Sequence, residues 1–231
     1  MREKAFHLKS FHIDVTGYKR HTGWDRFYCG DYEFVPGVNL LFGGNGQGKS
    51  SLIEFLSAYA GKSYEGDKIK KFCAVEHADD PFMIYMFSNS RNNQRYSRDI
   101  GSLFELQRHW DSTRQSEGQT VMQTVSDFIY FLSGLSDDEK AVVLIDEVDS
   151  GLDAAACQHI VRKIKKILKK KPDLQVFLAF NQYEMCKLAP TWLNVCTGKQ
   201  ETCPKTYEEY VSRLKENKRE YKRRADRYVR E

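Results

Sequence analysis

Residues 43–50 read Gly-Gly-Asn-Gly-Gln-Gly-Lys-Ser, a full G-x-x-x-x-G-K-S pattern. The apolar run Val38-Asn39-Leu40-Leu41-Phe42 precedes it, and Ser51-Leu52-Ile53-Glu54-Phe55-Leu56 follows with the composition of a helix. Strand, glycine loop and helix in that order is the context in which this pattern cradles phosphates. Gly43, Gly44, Gly46 and Gly48 keep side chains out of the way, so backbone N–H groups can approach anionic oxygens. The helix N-terminus adds a partial positive charge. Lys49 is placed to reach terminal phosphates and Ser50 to offer its hydroxyl to Mg²⁺. Asn45 and Gln47 lie between the glycines, and Ser51 opens the helix. Gly43 to Ser51 is therefore the candidate nucleotide-binding segment.

The hydrophobic share of 41% supports a buried core, and a charged share of 29% suits a solvated surface. No apolar run approaches the ~18–20 residues of a membrane helix, and the first residues, MREKAFHLKSFHIDV, lack the apolar stretch of a secretory leader. Membrane insertion is not expected. Six cysteines are scattered without a C-x-x-C pair, which fits reduced thiols and a cytoplasmic setting. Neither Cys73 with His77 nor Cys196 with Cys203 has the second pair that a zinc site needs.

The net charge of +4 is unevenly spread. Arg162, Lys163, Lys165, Lys166, Lys169, Lys170 and Lys171 crowd a segment in which Ile160, Val161, Ile164, Ile167 and Leu168 form the inward stripe. Such a helix presents a solvated face or contacts nucleic acid.

The chain up to Phe34 is rich in aromatic and β-branched residues with turns at Gly17, Gly23 and Gly30, which predicts short antiparallel strands. Gly61 to Pro81 reads as irregular. Phe82–Phe87, Ala141–Ile145 and Val176–Phe180 are apolar runs suited to buried central strands. Helices are predicted over 121–133 and 154–171, and Trp192–Cys196 suggests an edge strand. The fold class is α/β: a mostly parallel central sheet with helices on both faces, N-terminal antiparallel strands and a short helical lobe. One domain covers 1–205, with the lobe over about 88–135; 206–231 forms a charged C-terminal helix or tail, either frayed or docking a partner.

The run 141–145 ends in Asp146-Glu147, which places two carboxylates at the carboxyl end of a central strand, where open α/β sheets bind ligands. Asp146 suits a Mg²⁺ contact, and Glu147 suits a base acting on an attacking water. Ser116-Glu117-Gly118-Gln119 precedes the helix at 121–133, and Ser150-Gly151-Leu152-Asp153 follows the acids directly.

With these four segments in this order the chain resembles the ABC-class ATPases over roughly residues 36–198. NGQGKS is similar to their phosphate loop, SEGQ to their signature, and LIDEVDSGLD to their acidic strand plus D-loop. The resemblance implies ATP and Mg²⁺ as ligands, and a homodimer in which two domains face each other head to tail. Ser116, Gly118 and Gln119 would then act in trans on the γ-phosphate held by the other copy's loop, with Asp153 lining the shared interface. GTP is disfavoured, because Asn217-Lys218-Arg219-Glu220 is not the guanine-reading N-K-x-D. Where the family carries a histidine after the next strand, this chain has Asn181, which can donate a hydrogen bond but cannot become cationic. Slow or partner-dependent hydrolysis is the consequence. For the family's glutamine loop, Gln94 and Asn89 are the candidates, with Gln94 as a further Mg²⁺ contact. Tyr18, Trp24 and Phe27 all remain open as the adenine-stacking aromatic.

Only 28 residues separate Phe87 from Ser116, short for a transporter's helical lobe and far too short for a coiled-coil insertion. The resemblance therefore points to the small soluble stand-alone relatives of the RecF/SMC branch, which act with a partner such as a defence-system effector. A nucleic-acid-binding repair-type ATPase and the nucleotide subunit of a membrane transporter are the alternatives.

Overall fold

The computed structural model describes residues 5–14, 28–59, 72–89 and 117–228. Five parallel strands form most of the central sheet. These are β3 (Val38–Phe42), β5 (Met83–Ser88), β6 (Ala141–Asp146), β7 (Leu174–Ala179) and β8 (Thr191–Asn194). β9 (Lys199–Thr202) closes one edge antiparallel to β8, giving the order β5-β6-β7-β3-β8-β9. Beside it, β1 (Leu8–Ile13), β2 (Gly30–Glu33) and β4 (Cys73–His77) make an antiparallel sheet in the order β2-β1-β4.

Every residue of β6 and β7 is buried, because parallel strands are covered on both faces. Their side chains alternate between two cores. Val143, Ile145, Val176 and Leu178 enter the core shared with α2 (Glu117–Gly134), α3 (Ala154–Lys170) and Tyr210 of α4 (Tyr207–Tyr228). Val142, Leu144 and Phe177 enter the core shared with α1 (Lys49–Tyr59) and the antiparallel strands. The helices thus lie on both faces of the parallel sheet. Buried Gln175 ties the two sheets together: its amide oxygen accepts from His7 N and Leu8 N at 3.0 and 2.8 Å, and its amide nitrogen donates to Leu8 O.

Two elements depart from the sequence expectation. The stretch expected to be irregular between Gly61 and Pro81 contains β4, which pairs with β1 from Cys73 to His77. None of its five residues is buried, so it carries no clear apolar alternation. The strand expected at an edge over 192–196 lies inside the sheet as β8, and the polar β9, whose residues are exposed or half-buried, takes the edge. A polar edge strand leaves little apolar signal and discourages further strand pairing.

The charged C-terminal segment is the long helix α4, anchored by few residues. Tyr210 sits against Phe42 and Trp192, whose rings stack at 3.7 Å. Asn217 exchanges two side-chain hydrogen bonds with Asn194 at 2.9 and 3.0 Å. Arg224 donates to Cys196 O and lies 5.5 Å from the centre of the Tyr28 ring. No described helix is long and apolar enough to cross a membrane.

Candidate functional site

β3 delivers the chain to the loop at 43–50, and α1 begins at Lys49. The turn requires left-handed backbone at Gly46 (φ 74°) and Gly48 (φ 101°), which a side chain would resist. Buried Gln47 braces the loop from within, its amide oxygen accepting from Gly44 N. Lys49 is buried, and its ammonium donates to Gly43 O at 2.7 Å and Gly44 O at 3.3 Å, curled over the loop. Burial lowers the Lys49 pKa, while Asp149, Asp146 and Glu147 act in the opposite direction and hold it up.

The neighbouring strand β6 supplies the acids. Ser50 Oγ donates to Asp146 Oδ1 at 3.0 Å, so a hydroxyl and a carboxylate from distant segments meet beside the loop. Burial pushes Asp146 up to about 6, against the pull of the Ser50 hydrogen bond. Two hard oxygens side by side are the donor chemistry that Mg²⁺ takes, with water and phosphate completing its octahedron. Glu147 follows at φ 54°, the only described non-glycine residue in left-handed backbone. Such a conformation costs of order 1–3 kcal/mol and clusters at functional sites.

Asp149 was not singled out by the sequence reading. It is 1% exposed, and its Oδ2 accepts from Asn181 N and Gln182 N, both at 2.6 Å. Its Oδ1 is buried and has no hydrogen-bond partner among the described residues. Burial raises its pKa against those two backbone donors. A third acid within four residues of Asp146 was the available signal, but only the fold shows that it clamps the exit of β7. Asn181 O in turn accepts from Tyr210 Oη at 2.6 Å, so α4 and Asp149 hold the Asn181 backbone from two sides.

The segment after the acids turns at Gly151 (φ 70°) and ends at Asp153, whose carboxylate caps α3 by accepting from Ala156 N at 2.8 Å. The start of α2 lies against this turn: a Cβ at Gly118 would meet Gly151 O at 2.9 Å. Gly118, Gln119, Gly151 and Asp153 line one open cleft of about 550 Å³.

The structure therefore brings Lys49, Ser50, Asp146 and Glu147 together, sets Asn181 behind them through Asp149, and gathers Gly118, Gln119 and Asp153 at a second place. Asn89 is buried at the end of β5. Ser116, Gln94, Tyr18, Trp24 and Phe27 lie outside the described residues.

A family profile described as an AAA domain matches residues 23–229. The chain belongs to this AAA domain family. No curated protein matches the sequence. Among solved structures, the AAA domain is similar to Stu0660 of Streptococcus thermophilus, with a TM-score of 0.52, 13% identity, and coverage of 84% of this chain and 76% of that one. It also aligns with cbiO1 of Clostridium perfringens, part of the ABC transporter complex cbiONQ, at a TM-score of 0.43, 12% identity and coverage of 92% and 93%. A nucleotide-free ATP-binding cassette from an ABC transporter aligns at 0.44, 12% identity and coverage of 82% and 88%. With its phosphate loop, acidic strand end and mixed sheets, this AAA domain is of the P-loop type, and its likeness to Stu0660 is one of fold.

Proposed function

We propose that the protein binds ATP with Mg²⁺ at residues 43–51, pairs head to tail with a second copy around the nucleotide, and uses hydrolysis to switch a partner protein. The observation that carries this reading is the convergence of Lys49, Ser50 and Asp146 at the carboxyl ends of β3 and β6, with the Ser50–Asp146 hydrogen bond at 3.0 Å. Lys49 would leave its carbonyl partners for the β- and γ-phosphates, whose charge restores what burial takes from the ammonium. Ser50 and Asp146 would hold Mg²⁺, which neutralises charge developing on the phosphates when bound. Glu147 would orient and deprotonate the attacking water. Asn181 would contribute one neutral hydrogen bond, so turnover would be slow without a partner.

Pairing of two copies is supported by where α2 begins. A Cβ at Gly118 would meet atoms of Gly151 and Leu152, so the signature end of α2 lies against the turn of its own chain that would form the D-loop. A second copy facing this cleft would bring its loop-bound nucleotide to Ser116, Gly118, Gln119 and Asp153. The partner's class, an effector such as one used in defence, follows from the resemblance to stand-alone relatives. A cytoplasmic setting belongs to the same reading.

The test pairs two variants. Lys49→Ala should lose most ATP affinity by calorimetry. Glu147→Gln should keep ATP affinity, lose phosphate release and run as a dimer on light scattering with ATP and Mg²⁺. Wild-type ATP affinity in Lys49→Ala would overturn the reading.

A further inference from the structure

The helices α2 and α3 enclose a groove of about 390 Å³ on the side of the molecule away from the loop-bearing helix α1. Its floor is apolar, from Met122, Val125, Ile129, Ile160 and Ile167, and exposed Tyr130 stands at its rim. One wall is cationic. Lys163, Lys166 and Lys170 follow at i, i+3 and i+7 along α3, all three exposed and lining the groove. The fourth lysine of the lining, Lys171, is already engaged, donating to Leu135 O and to Asp137 at 3.0 Å. The other three have no acidic partner among the described residues, and α3 contains no acidic residue at all.

We propose that this groove docks an acidic amphipathic helix of a partner protein. A helix laid in a groove places an apolar stripe on the floor and charge on its flank, and the lysine row asks for carboxylates on that flank. Tyr130, 82% exposed, is one of the residue types enriched among the anchors of such contacts. Duplex nucleic acid fits less well. Its phosphates would lie over an apolar floor, and α2 supplies the groove with no cation, only Ser126 and Ser133 among apolar residues.

The proposal names the partner class within the function proposed above, and rests on that reading only for its consequence. α2 starts at the signature and forms the groove further along the same helix. An occupant would therefore bear on the segment that reads the second copy's nucleotide.

The experiment uses the full chain without nucleotide and a labelled helical peptide of about 15 residues, with leucines at helical spacing and glutamates on one flank. Control peptides carry glutamine or lysine in place of glutamate, and a duplex DNA of about 20 base pairs serves as the competing probe. Fluorescence anisotropy should show binding of the glutamate peptide, weaker by about tenfold or more for the glutamine form, and none for the lysine form. Lys163→Glu/Lys166→Glu/Lys170→Glu should weaken the glutamate peptide by at least about tenfold and begin to bind the lysine peptide. Ser126→Trp, which fills the groove and leaves its charge unchanged, should weaken it comparably. Circular dichroism checks that both variants are folded. Should the triple variant unfold, Ser126→Trp and the peptide series on the wild type decide alone. Equal binding of the glutamate and lysine peptides would overturn the proposal. So would DNA binding that vanishes in the triple variant while the peptide never binds. ATP turnover is measured separately, so a failed peptide assay beside normal turnover rejects the groove and leaves the ATPase reading standing.

Discussion

Asp149 separates two consequences of a buried carboxylate, hydrogen bonding and charge. Its Oδ2 alone satisfies the N–H groups of Asn181 and Gln182, both at 2.6 Å, while Oδ1 has no hydrogen-bond partner among the described residues. Asp149→Ala removes the acceptor from two backbone donors at once. Each donor left without a partner costs about 1–3 kcal/mol, and partial entry of water into the space left behind brings the expected sum to about 3 kcal/mol. Asp149→Asn can place its amide oxygen where Oδ2 stood and its NH₂ in the position that has no partner. It gives up charge assistance and buries an NH₂ with no acceptor, but it keeps both backbone donors bonded and removes a carboxylate that burial already disfavours, so the loss should be about 1–2 kcal/mol, below that of Asp149→Ala. For a domain of this size 1 kcal/mol moves the melting temperature by about 2–4 °C, so Asp149→Ala should melt about 6–12 °C below the wild type. Asp149→Asn should melt about 2–8 °C below it, above Asp149→Ala. Differential scanning calorimetry without nucleotide reads both. Equal melting temperatures for the two variants would refute the acceptor argument.

Three other outcomes follow from the same site. The folded protein holds the Asp146 proton more tightly than the unfolded chain, with a pKa of about 6 against 3.8. That contribution is fully present below pH 3.8 and lost as pH rises through about 6, a total of about 3 kcal/mol; in metal-free buffer Asp146→Asn should flatten this part of the melting-temperature profile, and an unchanged slope would contradict the burial argument. Gly118→Ala sets helix propensity, worth up to about 1 kcal/mol in its favour, against a backbone oxygen 2.9 Å from the new Cβ, which costs about 1–3 kcal/mol. A lower melting temperature is expected, and a higher one would place α2 further from the turn at Gly151. Asn181→His should speed hydrolysis about tenfold, roughly 1.4 kcal/mol of barrier, if a cation at that position is what turnover lacks; an unchanged rate under saturating ATP would show that it is not.

The sequence exposes the parts of this fold that follow simple periodicities. β6 and β7 are buried along their whole length because both faces are covered, and all but Asp146 and Gln175 are apolar, so the runs 141–145 and 176–180 were visible. The phosphate loop was visible because its glycines answer a backbone requirement that reads directly as spelling. β4 and β9 were not, since short strands with a solvent-facing or edge position carry little apolar pattern. Asp149 was hidden for another reason: a buried acid and a solvated one look alike until the strand exit that it clamps is in place. The docking of α4 rests on Tyr210 and Asn217 more than on a continuous stripe, which is why residues 206–231 read only as a charged helix or tail, frayed or docking a partner.

The measurement that bears most directly on the shared site is a mixing experiment. Ser116→Arg leaves the loop of its own chain intact, and Lys49→Ala leaves the signature intact. Each homodimer carries one defect in both composite sites and should be inactive. A mixed dimer gathers both defects in one site and leaves the other whole, so phosphate release should return on mixing, to about half the wild-type rate per mixed dimer under two-fold head-to-tail pairing. A mixture as inactive as its components, or an active Ser116→Arg homodimer, would contradict the account.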